Sequence, residues 1–170
     1  HIIDVSQPRN PELLSLVPFE SNNVGLRVRD NYAYLGYSAG FTTSESSHQG
    51  FESLSVLDIL DISVPSDPVI VSSVLLPTDI RDLIILDNLV YVVGSFNNEL
   101  LIVDVSNPIF PVLLEAPGAD FSGSSYRFSY QYGDHAYLAD SGTGLRVVDL
   151  GDPLNPTVVT RLDLQMELNC

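Results

Sequence analysis

Four aspartates occupy equivalent places in the chain and are the first candidates for chemistry. Each is followed by a proline four residues later and by a second proline three residues after that; they are Asp4, Asp61, Asp104 and Asp149. Carboxylates can bind calcium, but the motif lacks the glycine and glutamate of a calcium-binding loop. An aspartate repeated in every unit is typical of a turn, where it accepts hydrogen bonds from following N–H groups. We therefore predict four turn caps and no metal.

Other residue types that carry catalysis do not form a recognisable motif. His1, His48 and His135 lack the pairwise spacing of zinc ligands. No serine lies in a nucleophile-elbow pattern, and the sequence contains no glycine-rich phosphate loop. The sequence therefore predicts no cofactor, although an active site assembled from separate loops would leave no local motif.

Two arginines and one insertion are the candidate binding elements. Arg81 and Arg127 each precede a turn by six residues, and they could bind an anion or pair with a carboxylate, the candidates being Asp79, Asp82 and Asp120. The insertion 38–53 is rich in Ser, Thr and Gly, and it is interpreted as either a solvated loop or a ligand contact. Its candidate contact residues are Phe41, His48 and Phe51.

These residues lie on a repeating framework. The aspartate motif recurs roughly every 45 residues, with a longer first interval. Short apolar runs containing tyrosine follow the pairs Asp30-Asn31, Asp87-Asn88 and Gly133-Asp134. Asn, Asp and Gly tolerate the positive φ that two-residue hairpin turns require. Each pair therefore predicts a β-hairpin.

Each repeat is predicted to contain four antiparallel strands, A to D. Strand A covers 24–29, 81–86 or 126–132, strand B carries the tyrosine, strand C ends at the aspartate motif, and strand D follows the second proline. Repeated four-stranded units of this length are typical of a β-propeller, so the predicted fold class is all-β. A β-sandwich is the alternative, but it does not require the same turn chemistry in every unit.

The repeat also resembles a known family. The runs Leu101–Ser106 and Leu145–Asp149, with the Ala-Tyr-Leu runs that precede such segments, are similar to the LVIVD repeat. Gly151 departs from the pattern by replacing a serine. The resemblance implies a β-propeller from a mostly microbial, often secreted or cell-surface group, and it brings no catalytic residues.

The chain is predicted to hold about three and a half blades in a single propeller domain or a fragment of one. The predicted division is a half blade at 1–20, blades at 21–76, 77–116 and 117–164, and a tail at 165–170. The half blade has strands C and D only, so its open edge attracts further strands. We expect this edge to be completed by the remainder of a longer chain or by a neighbouring subunit.

Charge narrows the range of partners. The chain has 22 acidic residues and 7 basic ones, all arginine, for a net charge of −15, and such a surface repels nucleic acid. Apolar runs are strand-sized, so no membrane span is expected. The favoured function is a non-catalytic binding or scaffolding module for a protein or surface ligand, with contacts on the face of the B–C and D–A loops. The alternatives are a hydrolase or lyase with a site in the central funnel, and a structural subunit joined through the open blade edge.

Overall fold

Every regular element described in the structure is a β-strand. The computed structural model describes residues 1–18, 24–41, 53–94, 100–114, 126–140 and 144–163. Their strands are β1 (Ile2–Asp4), β2 (Glu12–Ser15), β3 (Val24–Arg29), β4 (Tyr32–Phe41), β5 (Ser53–Asp61), β6 (Val69–Leu76), β7 (Ile80–Leu86), β8 (Leu89–Gly94), β9 (Leu100–Asp104), β10 (Val112–Leu114), β11 (Tyr126–Tyr132), β12 (His135–Asp140), β13 (Gly144–Asp149) and β14 (Thr157–Asp163).

The strands form antiparallel sheets in which neighbours in sequence are neighbours in space. Blade 1 is the two-stranded sheet β1–β2, and blades 2, 3 and 4 are the four-stranded sheets β3–β6, β7–β10 and β11–β14. Neighbouring blades approach most closely at their first strands, with β3 against β7 and β7 against β11. Within the described residues, β1 pairs with β2 and with no other strand. The predicted four-stranded antiparallel blades are confirmed.

The hairpin turns have the backbone conformation that their residues predicted. Asp30, Asp87 and Gly133 have φ values of 52°, 51° and 57°, in the left-handed region. Each is the first residue of a two-residue turn between the first two strands of a blade. Aspartate and glycine adopt this conformation more readily than other residues, so local sequence fixes the register of each hairpin.

The core consists of layers between successive blades. Each blade presents a forward face to the next blade and a rear face to the previous one. Between blades 2 and 3, Ile59 of β5 packs in one cluster with Val92 and Val103. Between blades 3 and 4, Tyr91 packs in a second cluster with Leu138. Alternation of side chains along each strand allows the middle blades to be apolar on both faces.

The second hairpin of blade 2 is longer than the sequence predicted. β4 and β5 remain paired as far as Phe41 and Ser53, with a bulge between Ser38 and Phe41. The predicted insertion 38–53 therefore begins and ends as strand, and the connection between the two strands is 42–52. The Ser, Thr and Gly content of the insertion predicted a loop from residue 38, but Ser38 and Phe41 pair with β5 on either side of the bulge.

Candidate functional site

The four repeated aspartates adopt one geometry. In each, Oδ1 accepts a hydrogen bond from the backbone N–H two residues ahead, at 2.8 Å from Ser6, Ser63 and Ser106 and 2.7 Å from Gly151. A second bond closes each turn, as from Asn155 N–H to the Asp152 carbonyl at 3.0 Å. The carboxylates therefore cap the turn between the third and fourth strands. The described residues contain no cluster of three or more metal-ligating side chains.

Two of these caps, at Asp4 and Asp61, also favour the charged form of their carboxylates. The pKa values of Asp4 and Asp61 lie below the ordinary value because each carboxylate accepts the backbone N–H, and then the hydroxyl, of the serine two residues ahead. An aspartate kept ionised by its own turn is a poor general acid at neutral pH. The geometry is that of a structural element.

The predicted binding residues are only partly within the described structure. Arg81 forms an ion pair with Asp79, NH2 to Oδ2 at 2.9 Å, and Asp79 also accepts the Ser38 hydroxyl at 3.0 Å. Arg127 lies on β11 and Phe41 ends β4, but their side chains are outside the described part. His48 and Phe51 lie outside the described residues altogether. The structure thus leaves the predicted cluster untested and gives Arg81 a carboxylate partner.

A different carboxylate, Asp82, links three blades. Its Oδ1 contacts Arg27 NH2 of blade 2 at 2.7 Å and accepts the Leu83 N–H at 2.9 Å. Its Oδ2 accepts the backbone N–H and the hydroxyl of Ser129 in blade 4, at 2.7 and 2.9 Å. Asp82 is buried, so these four partners replace the water it loses on folding. We call Arg27, Asp82 and Ser129 the inter-blade junction.

A second buried carboxylate stabilises the interior of blade 2. Asp58 accepts the Tyr37 hydroxyl at 3.0 Å and the Ser73 hydroxyl at 2.6 Å. Burial, followed by the hydrogen bond to Asp58, raises the pKa of Tyr37 above its ordinary value. The phenol therefore stays protonated and acts as a hydrogen-bond donor.

An open groove of about 410 Å³ runs along the first strands of blades 2, 3 and 4. We call it the inner groove; its wall includes Arg27, Arg29, Ile84, Ser129 and Gln131. These residues lie between the middle and the end of their strands, whereas Arg81 and Arg127 lie near the strand beginnings. The groove is thus displaced along the strands from the site predicted from sequence, toward the two-residue turns.

The inner groove combines guanidinium groups with aliphatic walls. The Arg27 and Arg29 side chains are both partly exposed there. Arg27 is neutralised by Asp82, whereas the ion pair of Arg29 within the described residues is with the exposed Asp30, at 3.6 Å. Exposed pairs of the latter kind are weak, so Arg29 remains available to an anionic or hydrogen-bonding group.

A repeated polar contact joins neighbouring blades near their outer strands. The Ser15 hydroxyl donates to the Pro65 carbonyl at 2.9 Å, and the equivalent Ser72 hydroxyl donates to the Pro108 carbonyl at 2.6 Å. Between blades 3 and 4 the same carbonyl position, Pro153, accepts the Tyr91 hydroxyl at 2.8 Å. The same polar contact therefore joins blade 1 to blade 2 and blade 2 to blade 3.

Sequence reasoning missed the inter-blade junction. Arg27 and Ser129 are polar residues of β3 and β11, but both strands contain other polar residues, so no signal singled these two out. Their shared partner, Asp82, is distant from both in sequence and was considered only as a partner for Arg81. No local pattern could have joined these residues, because the contact depends on how the blades stack.

Four-stranded antiparallel blades stacked along their first strands, with one turn chemistry throughout, define a β-propeller architecture. The family model described as "LVIVD repeat" matches residues 55–75, 78–116 and 131–163, which is more than half of the chain. The chain therefore belongs to the LVIVD-repeat family, as its resemblance to the repeat predicted.

Other comparisons are more distant. A crystal structure of HIRA(644–1017) is similar at 14% identity and a TM-score of 0.47, covering 85% of this chain and 42% of that one. This chain thus spans less than half the length of that chain. No curated protein matches the sequence. The described residues contain no helix with the length and apolarity to cross a membrane.

Proposed function

We propose that the protein is a non-catalytic binding and scaffolding propeller module of a secreted or cell-surface protein. Its contacts with a protein or surface ligand are assigned to the face formed by the connections between second and third strands and between successive blades. The observation that carries this proposal is that variation in connection length is confined to that face.

The connections on the opposite face are constant in length. The turns between first and second strands, 30–31, 87–88 and 133–134, each have two residues. The loops between third and fourth strands, 5–11, 62–68, 105–111 and 150–156, each have seven. Aspartate caps and backbone bonds fix these loops. Such uniformity favours a structural role.

The connections on the proposed binding face vary in length instead. Its connections within blades are 42–52, 95–99 and 141–143, and its connections between blades are 16–23, 77–79 and 115–125. Insertions in repeat proteins often map to the binding face, because loops can change there without disturbing the stacked core. The segment 42–52 contains His48 and Phe51, so it supplies aromatic and titratable groups. The secreted or surface location rests on the family resemblance alone.

The experiment exchanges the variable connection for a short one. Residues 42–52 are replaced by the Ser-Gly-Thr sequence of 141–143, and both proteins are tested on arrays of polysaccharides and peptides. We expect the array signals of the unmodified protein to disappear in this variant and to persist in Leu154→Ser, a control on the constant face. Binding that is unchanged after the replacement of 42–52 would contradict the proposal. Turnover of chromogenic hydrolase or lyase substrates by the unmodified protein would favour the enzymatic alternative.

A further inference from the structure

The inner groove reverses the charge balance of the chain. The chain as a whole has 22 acidic and 7 basic residues. Among the described residues, those that line the groove include two arginines, Arg27 and Arg29, and no acidic residue. Asp82 neutralises Arg27 from the adjoining junction, so the excess positive charge of the groove comes from Arg29. A cleft lined by charges of one sign concentrates ions of the opposite sign, so the groove is a candidate anion site.

The inter-blade junction fixes the separation of the two walls of this groove. Arg27 of β3 and Ser129 of β11 both bind Asp82 of β7, at 2.7 and 2.9 Å. Arg29 and Gln131 lie two residues further along the same two strands, so alternation places their side chains on the same faces as the junction residues. Both line the groove. Since β7 contacts β3 and β11, three consecutive blades build this site.

The two side chains beyond the junction keep hydrogen-bonding capacity for a ligand. Arg29 approaches Asp30 through Nε at 3.6 Å, which is longer than a hydrogen bond, and the Asp30 side chain is exposed. Gln131 donates one side-chain N–H to the Gly133 carbonyl at 2.9 Å, so its oxygen and its second N–H can bind another group. The groove therefore combines a guanidinium with an amide that both donates and accepts.

We propose that the inner groove binds an acidic sugar, a hydroxylated ring that bears one carboxylate. Arg29 binds the carboxylate, because a planar guanidinium matches it with two parallel N–H···O bonds, and Gln131 binds ring hydroxyl groups. The groove volume of about 410 Å³ falls within the range of about 300–1,000 Å³ for small-molecule sites. An open groove also suits a ligand whose other hydroxyl groups remain in water.

Charge favours a carboxylate over a phosphate in this groove. Of the two arginines that line it, Arg27 is already neutralised by Asp82, so Arg29 matches a ligand with a single negative charge. A phosphate dianion brings a second charge into a chain whose net charge is −15, and it is repelled more strongly. The expected order of affinity is therefore acidic sugar first and inorganic phosphate well below it.

This site is separate from the face assigned to the proposed function. Arg29 and Gln131 lie next to the two-residue turns 30–31 and 133–134, on the face whose connections are constant in length. The replacement of 42–52 alters the opposite face, so acidic-sugar binding in the inner groove should survive it. The two proposals can therefore fail independently of each other.

A titration of isotope-labelled protein, followed by amide NMR, tests the ligand class. The probes are D-glucuronate and D-galacturonate, with D-glucose, acetate and inorganic phosphate for comparison. We expect saturable shifts at the amides of Arg29 and Gln131 with a uronate, and about 10-fold or more weaker binding of the three comparison compounds. Equal or tighter binding of any one of the three would overturn the assignment, as would the absence of saturable shifts with both uronates.

Variants of single residues test the place of binding. Arg29 is partly exposed, so Arg29→Gln should fold, and it should weaken uronate binding about 10-fold or more, with Arg29→Lys in between. Arg9→Gln changes the net charge equally at an exposed arginine of the loop 5–11 and should leave binding unchanged.

A gain of affinity provides the complementary test. Asp30→Asn removes the carboxylate that competes for Arg29 and keeps a residue type that tolerates the positive φ of this turn. It should tighten uronate binding about 2- to 5-fold. Weaker binding in Asp30→Asn, or equal losses in Arg9→Gln and Arg29→Gln, would overturn the proposal, because the effect would then not come from Arg29 in the groove.

Discussion

Blades 3 and 4 share a sequence pattern and a strand order but differ in what covers them. Blade 3 is enclosed by blades 2 and 4, and Tyr91 and Ile102 are almost fully buried. Blade 4 is covered on its rear face, where Leu138 and Val148 are buried, whereas Phe128 and Tyr130 on its forward face remain exposed. The same repeat therefore builds both an interior and a surface.

The difference indicates that contacts between blades contribute to the stability of this molecule as much as contacts within blades do. Solenoid proteins behave in the same way, with intrinsic repeat stabilities and nearest-neighbour terms that add. A side chain at one repeat position should consequently have very different energetic weight in blades 3 and 4. Matched substitutions at equivalent positions measure that difference directly.

The largest difference in the loss of unfolding free energy is expected between Ile84→Ala and Tyr130→Ala. Ile84 is buried between blades, so its truncation leaves a cavity and should cost about 2–5 kcal/mol of unfolding free energy. Tyr130 is exposed at the equivalent position, so its truncation should change stability by about 0.5 kcal/mol or less. Urea unfolding measures both. Equal losses would show that burial between blades does not set the difference.

The next contrast is Asp82→Ala against Phe128→Ala. Loss of Asp82 leaves Arg27 without its close carboxylate and removes the acceptor of both Ser129 donors. We expect a loss of about 3 kcal/mol, near the low end for breaking a buried ion pair, because Arg27 is partly exposed. Phe128 occupies the equivalent exposed position, so Phe128→Ala should lower the unfolding free energy far less. The double variant Asp82→Ala with Arg27→Met should recover part of the loss, and no recovery would argue against the ion pair.

The substitutions Asp104→Ala in blade 3 and Asp149→Ala in blade 4 should lower the unfolding free energy by the same amount. Both carboxylates cap their own turns, at 2.8 and 2.7 Å, so neither depends on a neighbouring blade. Each variant should lose about 0.5–2 kcal/mol, as other capping side chains do. Asp104→Asn keeps an acceptor oxygen and should lose less than Asp104→Ala. Unequal losses measured in the same urea titration would mean that the turns also take part in blade stacking.

The smallest effect concerns Tyr91 and its alkaline titration. Burial first, with Asp87 and Asp152 adding to it, raises the pKa of Tyr91 to about 12. The folded state holds the phenol proton more tightly than the unfolded chain, whose pKa is about 10. The stabilisation is therefore present below pH 10 and is lost as the pH rises through about 12.

Tyr91→Phe separates this titration from the hydrogen bond to Pro153. At neutral pH the variant should lose about 0.5–1.5 kcal/mol, and its stability should fall less steeply above pH 10 than that of the unmodified protein. Tyr137→Phe, at the equivalent position in blade 4, serves as the control. Identical pH profiles for Tyr91→Phe and the unmodified protein would contradict this assignment.

What could be predicted from sequence is what depends on near neighbours in the chain. The positive φ of Asp30 and Asp87 followed from residue type, and the strand order followed from the spacing of turns. The bond from Ser106 N–H to Asp104 spans two residues, so it was within reach of local reasoning. The predicted β11 bounds, 126–132, agree with the structure.

What could not be predicted depends on stacking. Asp82 was considered as a partner for Arg81, but it pairs with Arg27 and Ser129, which lie on the two neighbouring blades. Side chains of β7 meet those of β3 and β11 only after the sheets pack. The position of the inner groove depends on the same packing, so the arginines chosen from sequence were placed near the opposite ends of the strands.

Within the described residues, each strand pairs only with its neighbours in sequence, and this has a kinetic consequence. Every ladder, from β3–β4 to β13–β14, closes a short loop, so forming a sheet requires little long-range search. In a chain whose strands pair in this way, folding can nucleate in any blade and propagate along the array. Blade 3, which gains cover from both sides, is the natural place for a persistent nucleus. Amide hydrogen exchange would then be slowest in β8 and β9 and faster in β1, β2 and β14.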